Sequence, residues 1–114
     1  MIEKTVYDWL TAQNICTVYM ELPESLSTAP ERFLLVEKTG GGQREHIKSA
    51  MITVQSYAAS LLGAAQLNEA AKAAMEGIIE LDEVCSCSLN SDHNYTDDRL
   101  KRYRYQAVFD IVHY

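Results

Sequence analysis

The stretch from Ala58 to Ile79 constrains this chain more than any other. Leu61, Ala64, Leu67, Ala71, Ala74 and Ile78 recur every three or four positions, opposite Gln66, Glu69 and Glu76. A stripe with that period lies on one side of an α-helix and has to be buried against something. The alanines in it favour helix intrinsically and leave a shallow surface that sits closely on a sheet. The question for the rest of the sequence is what supplies that sheet.

Strands are legible on both sides. Thr17 to Leu22 alternates, with Val18, Met20 and Leu22 on one side and Thr17, Tyr19 and Glu21 on the other, before Pro23 stops it. The Ser/Thr/Glu-rich run from Pro23 to Pro30 reads as a surface loop, and Arg32 to Lys38 has the β-branched and aromatic content of a strand, ended by Gly40, Gly41 and Gly42. Ile47 to Tyr57 is again a strand, with Ala50, Ile52 and Val54 on one face and Met51, Thr53, Gln55 and Tyr57 on the other. These two strands predict a long hairpin whose mobile tip is Thr39 to His46. Val84 to Asn90 and Tyr103 to Tyr114 are further strands, the last alternating Tyr103, Tyr105, Ala107, Phe109 and Ile111 against Arg104, Gln106, Asp110 and Tyr114.

An amphipathic helix opens the chain, with Ile2, Val6, Trp9 and Leu10 on one stripe between Ile2 and Asn14. The predicted order is therefore αβββαββ. That order implies a single α+β domain over residues 1–114, an antiparallel or mixed sheet of about five strands with both helices packed on one face. With 114 residues, 47% hydrophobic and 23% charged, there is enough chain for one core and too little for two.

Charge and cysteine usage narrow the function classes. Asp and Glu outnumber Lys and Arg by 16 to 10, a net charge of −6 that opposes sequence-independent attraction to a phosphate backbone. No run approaches the ~20 apolar residues of a membrane helix, and Met1-Ile2-Glu3-Lys4 lacks the layout of a signal peptide, so a soluble protein made in the cytosol is expected, with no membrane partner. Three cysteines, Cys16, Cys85 and Cys87, cannot all pair within one chain, which fits a reducing compartment.

Five constellations bear on chemistry. Cys85-Ser86-Cys87 places two thiols on one face of a strand, but without the paired knuckles of structural zinc sites, so thiols acting as small hydrophobes are the simpler account. Asp92-His-Asn94-Tyr-Thr96-Asp97-Asp98 resembles the start of a calcium loop, yet Asp97 stands where the turn needs glycine and Tyr103 where a bidentate glutamate is required. A polar turn built on Asp and Asn explains it better. Gly40-Gly41-Gly42-Gln43-Arg44-Glu45 lacks the lysine and hydroxyl of a phosphate-binding loop and is not followed by a helix.

Arg99, Lys101, Arg102 and Arg104, interleaved with Tyr103 and Tyr105, offer the cations and stacking faces that single-stranded nucleic acid prefers, with Asp97 and Asp98 beside them opposing it. Glu80-Asp82-Glu83 and Asp97-Asp98 are two acidic patches that could supply the paired carboxylates of acid–base catalysis, but loop-flanking acids are more often solvated. No nucleophile elbow or metalloprotease helix is present. No catalytic, cofactor-binding or metal-ligating residue is assigned, no cofactor is expected and the protein is expected not to be an enzyme.

The runs Ala58-Ala-Ser-Leu-Leu and Gln66-Leu-Asn-Glu-Ala, the polar Leu89-Asn-Ser-Asp-His-Asn-Tyr-Thr-Asp-Asp98 and the closing Arg102-Tyr-Arg-Tyr-Gln-Ala-Val-Phe-Asp-Ile-Val-His-Tyr114 together resemble the phage tail-terminator family, the tail-completion or head–tail joining proteins of long-tailed phages. The resemblance covers most of the chain and implies a structural subunit of the virion tail or neck, assembled in the bacterial cytoplasm. It implies a homo-oligomeric ring, a hexamer on the tail, that stops tail-tube polymerisation and meets the head connector, with the tail tube protein and head connector protein as partners. DNA would pass through the lumen without specific binding, which a net negative charge suits. Neck adaptors, head-closure proteins and minor capsid proteins are the nearest alternatives, and a small nucleic-acid-binding module centred on Arg99 to Tyr105 is a more distant one. A ring needs head-to-tail contacts. The residues with charge and polarity beyond what a core requires are Gly40, Gly41, Gly42, Gln43, Arg44 and Glu45 at the hairpin, and Asp97, Asp98, Arg99, Lys101, Arg102 and Arg104 before the last strand. Simple solvent exposure of both loops is the plainer reading for any one of them.

Overall fold

A computed structural model describes every residue of the chain except Asp98, Leu100 and Lys101. It contains α1 (Ile2–Ala12), β1 (Thr17–Tyr19), β2 (Phe33–Arg44), β3 (Ile47–Ala58), α2 (Leu61–Glu76) with a 3-10 turn over Gly77–Glu80, β4 (Val84–Asn94) and β5 (Tyr103–His113). The five strands form one sheet in the order β1-β2-β3-β5-β4, antiparallel except for the β1–β2 pair. This is the α+β fold with αβββαββ order that the hydrophobic periods imply.

Both helices lie on one face of the sheet. Ile2, Val6 and Leu10 of α1 and Leu67, Ala71 and Met75 of α2, continued by Ile78, meet Leu34 and Val36 of β2, Ala50, Ile52 and Val54 of β3, and Ala107, Phe109 and Ile111 of β5. The strand residues are of a single parity, as burial of one pleated face requires. Ser60 caps α2 in extended conformation, its hydroxyl accepting from the Gly63 amide at 3.0 Å. The opposite face is not bare. At one end Phe33, Leu35 and Tyr57 form a second buried cluster, covered by Tyr19, Leu26 and Ala29, and Phe33 stacks on Tyr57 with ring centroids 4.6 Å apart.

That second cluster explains the first departure from the sequence reading. The strand starting at Thr17 stops at Tyr19, and Met20 and Leu22, which share a side with buried Val18 by alternation, are exposed. The chain leaves the sheet early because residues 20–32 fold back to lay Leu26 and Ala29 over Phe33.

The second departure is at the glycines. Gly40, Gly41 and Gly42 do not end β2. They pair with Met51, Ala50 and Ser49, and the strand runs to Arg44 with one irregularity between Lys38 and Gly40. Glycine suits this place because the side chain of Lys38 lies across Gly41, where an added Cβ would stand 2.9 Å from Lys38 Cε and 3.2 Å from the Ser49 carbonyl. The tip is confined to Glu45 and His46, both at positive φ (51° and 72°).

Candidate assembly surfaces

The two stretches singled out from sequence sit at different ends of the sheet. The β2–β3 arm carries Gly40 to Glu45 at one end, where α1 begins and β4 starts. Asp97, Arg99, Arg102 and Arg104 sit at the other, beside the loop of residues 20–32. Asp98 and Lys101 lie outside the described residues.

At the far end the arginines are bound within their own chain. Arg102 donates to three main-chain carbonyls of that loop, those of Leu26 (2.6 Å), Glu31 (2.8 Å) and Pro30 (3.2 Å). It thereby clasps the segment that covers Phe33. Arg104 donates through Nε to the Tyr95 carbonyl at 2.9 Å and through Nη1 to the Tyr57 hydroxyl at 3.0 Å. Its guanidinium lies 4.5 Å from the Tyr95 ring and 5.5 Å from the Tyr57 ring. Tyr57 in turn donates to Gln55 Oε1, and Gln55 Nε2 to Gln106 Oε1. The mixture of cations and aromatics that suggests a nucleic-acid strand is, for these two arginines, an internal polar network. Arg99 is different. It is exposed and bound to Asp97, whose carboxyl it holds below the usual range by a side-chain hydrogen bond and then a backbone one.

The same region has the turns that its composition predicts. Asn94 Oδ1 accepts from the Thr96 amide at 3.0 Å and Asp97 Oδ1 from the Arg99 amide at 3.0 Å, two Asx-type turns. The calcium-like spacing is broken by pairing, since Asp92, His93 and Asn94 are the last residues of β4. Asp92 faces α2, where it accepts from Asn68 Nδ2 at 2.7 Å and from Lys72 Nζ, and Lys72 also reaches Glu69 at 2.8 Å. Partial burial disfavours its charge, but the Lys72 and Asn68 hydrogen bonds outweigh that and hold its carboxyl below the ordinary value. Sequence reading missed this clamp, because nothing local links positions 68 and 72 to 92.

Cys85 and Cys87 do not share a surface. β4 bulges between Val84 and Ser86, so Cys85 is the extra, exposed residue, while Cys87 is half-buried against the helix-side core. Burial pushes the Cys87 thiol up to about 11, and it also raises that of Cys16. Among the described residues no group of three or more His, Cys, Asp or Glu side chains is placed to hold a metal ion, and no helix is long and apolar enough to cross a membrane.

The arm presents a different chemistry from the arginine end. Among the described residues, no strand lies beside the side of β2 turned away from β3 from Glu37 to Arg44, since β1 pairing ends at Tyr19 with Leu35. Gln43, Arg44, Glu45, His46, Ile47 and Lys48 are all exposed.

No protein-family model matches this sequence, and no curated protein matches it. Solved structures do share its fold. A chain from a structure described as "Virion of native gene transfer agent (GTA) particle" superposes with a TM-score of 0.58 at 12% sequence identity, over 98% of this chain and 93% of that chain.

Proposed function

We propose that this protein is a structural component of a phage-like virion, a ring-forming subunit at the head-proximal end of the tail that ends tail-tube polymerisation and joins the tail to the head connector. The observation that carries the reading is the mutual coverage of the fold match: nearly all of this chain and nearly all of a virion chain share one architecture, with no large insertion in either. The sequence resemblance to tail terminators points to the same class. The role is assembly and not chemistry, with the tail tube and the head connector as partners and DNA passing through the lumen without specific binding. A net charge of −6 suits such a lumen.

Ring closure requires two different, mutually complementary surfaces on each subunit. The arm (Gly40 to Glu45) and the segment from Asp97 to Arg104 are proposed as contact regions that meet different surfaces, not each other. A nucleic-acid module is less well supported, because Arg102 and Arg104 spend their donors on main-chain and side-chain oxygens of their own chain.

Light scattering coupled to size exclusion across a concentration series, with negative-stain imaging of the largest species, tests the reading. Closed rings of about six subunits are the expected result. A strict monomer that also fails to bind isolated tail tubes would overturn it.

A further inference from the structure

The sheet has two open edges, and they lie level with each other. β4 is the last strand in the order and, among the described residues, pairs only with β5. On the other side, β2 is covered by β1 only up to Leu35. Following the register straight across, Gly42 pairs with Ser49, Ser49 with Val112 and Val112 with Ser86. Gly41 leads in the same way through Ala50 and Ile111 to Cys87, and Gly40 through Met51 and Asp110 to Ser88. Three residues without side chains on one edge thus stand at the height of Ser86, Cys87 and Ser88 on the other.

Strand direction fits as well. β2 and β5 run one way and β3 and β4 the other, so β4 of one copy set beside β2 of the next would be antiparallel, like its neighbours. β4 bulges on both sides of this short run, between Val84 and Ser86 and between Leu89 and Ser91. Bulges blunt an edge against indiscriminate pairing and leave a regular window of defined register. The ends are complementary in charge. The arm carries Lys38, Arg44 and Lys48 against Glu37 and Glu45, whereas Glu80, Asp82 and Glu83 lead into β4. By the same register Arg44 and Glu83 are level on opposite edges, both exposed, and neither is in an ion pair among the described residues.

We infer that the partner of the arm is a second copy of this chain: the Gly40–Gly42 edge of β2 adds to the Ser86–Ser88 edge of β4 on the next subunit, with Arg44 against Glu83. The contact uses two unlike edges, so rotation repeats it head to tail and the sheets join into one belt. The inference rests on the ring reading and specifies its seam. Main-chain amides and carbonyls of the two edges make the contact, the side chains standing perpendicular to it on the two faces.

A cross-link tests it on the full chain. The seam places Gly42 beside Ser86, within the ~5.5 Å Cα separation that both a strand pair and a disulfide require. Gly42→Cys together with Ser86→Cys, in a chain whose Cys85 and Cys87 are replaced by Ser, oxidised with diamide, should give a ladder of dimers and higher species on a non-reducing gel, absent with either cysteine alone. As a second test, Arg44→Glu and Glu83→Arg should each weaken assembly at least tenfold in light scattering, and the double variant should restore it. Rings that form without the ladder, or singles that the double does not rescue, overturn this seam and leave the ring reading standing. Absence of any assembly in wild type, in solution and on tail tubes, removes both.

Discussion

The indole N–H of Trp9 in α1 donates to the main-chain carbonyl of Ala74 in α2 at 2.8 Å, a bond between residues 65 apart in sequence. The same ring rests on Gly77, where an added Cβ would stand 3.1 Å from it. The two helices are thus locked side by side over the sheet by one donor and one missing side chain. Trp9→Phe keeps most of the apolar contact and loses the bond, while the Ala74 carbonyl still accepts from the Gly77 amide. The expected cost is about 1 kcal/mol. Gly77→Val should cost more, since the indole has to move, and a shift in the emission of the single tryptophan would report that displacement alongside a lower Tm.

Arg104 and Arg99 are five positions apart and should behave oppositely. Arg104 is held between two tyrosine rings and two hydrogen-bond acceptors, a planar arrangement that an ammonium cannot reproduce. Arg104→Lys is expected to cost roughly 1–2 kcal/mol in urea unfolding. Arg99→Lys, fully exposed, should leave the urea midpoint unchanged.

The tip of the arm holds Glu45 and His46 at φ of 51° and 72°. Left-handed backbone of this kind costs about 1 kcal/mol or more for residues with a Cβ, and two-residue hairpins favour Asn-Gly. Replacing both (Glu45→Asn with His46→Gly) should raise stability by about 1 kcal/mol, read as a higher Tm. A lower Tm would mean that the native side chains hold the turn by contacts of their own.

The Asp92–Lys72 clamp makes a pH-dependent contribution with a definite sign. The Asp92 carboxyl is depressed below its ordinary value of 3.8, so its share of stability is present above that pH and is lost as pH falls through the lower, folded value. Lys72 is raised above 10.5 by its bonds to Asp92 and Glu69, so its share is present below that pH and is lost on further alkalinisation. Asp92→Asn should therefore destabilise by up to about 1 kcal/mol at neutral pH and converge with wild type once pH has fallen through the folded-state value. Parallel unfolding midpoints from pH 2 to pH 7 check it; a gap that persists at pH 2 would assign the loss to packing.

The amino-acid sequence by itself determined the elements and most of their buried faces, because a period of 3.6 in Ala64 to Ile78, or of 2 in Ala107, Phe109 and Ile111, is a local property of the chain, although Leu61 at the start of the helical stripe and Met20 and Leu22 after β1 are exposed. The polar turns at Asn94 and Asp97 were legible for the same reason: an Asx side chain closes on a backbone amide two residues away. Where β2 ended was not. Glycine has low intrinsic strand preference, and only pairing with Ser49, Ala50 and Met51, with Lys38 lying over Gly41, carries the strand through Gly40–Gly42. Likewise the Arg99 to Arg104 run is one cluster in sequence, while tertiary structure turned Arg102 to the loop carbonyls and Arg104 to Tyr57 and left Arg99 in solvent. Cys85 and Cys87 were separated by a bulge set by the register of β4 on β5. What the tertiary structure decided is therefore register and partner choice, and with them which edges stay open, because those depend on residues that meet only after distant strands have paired.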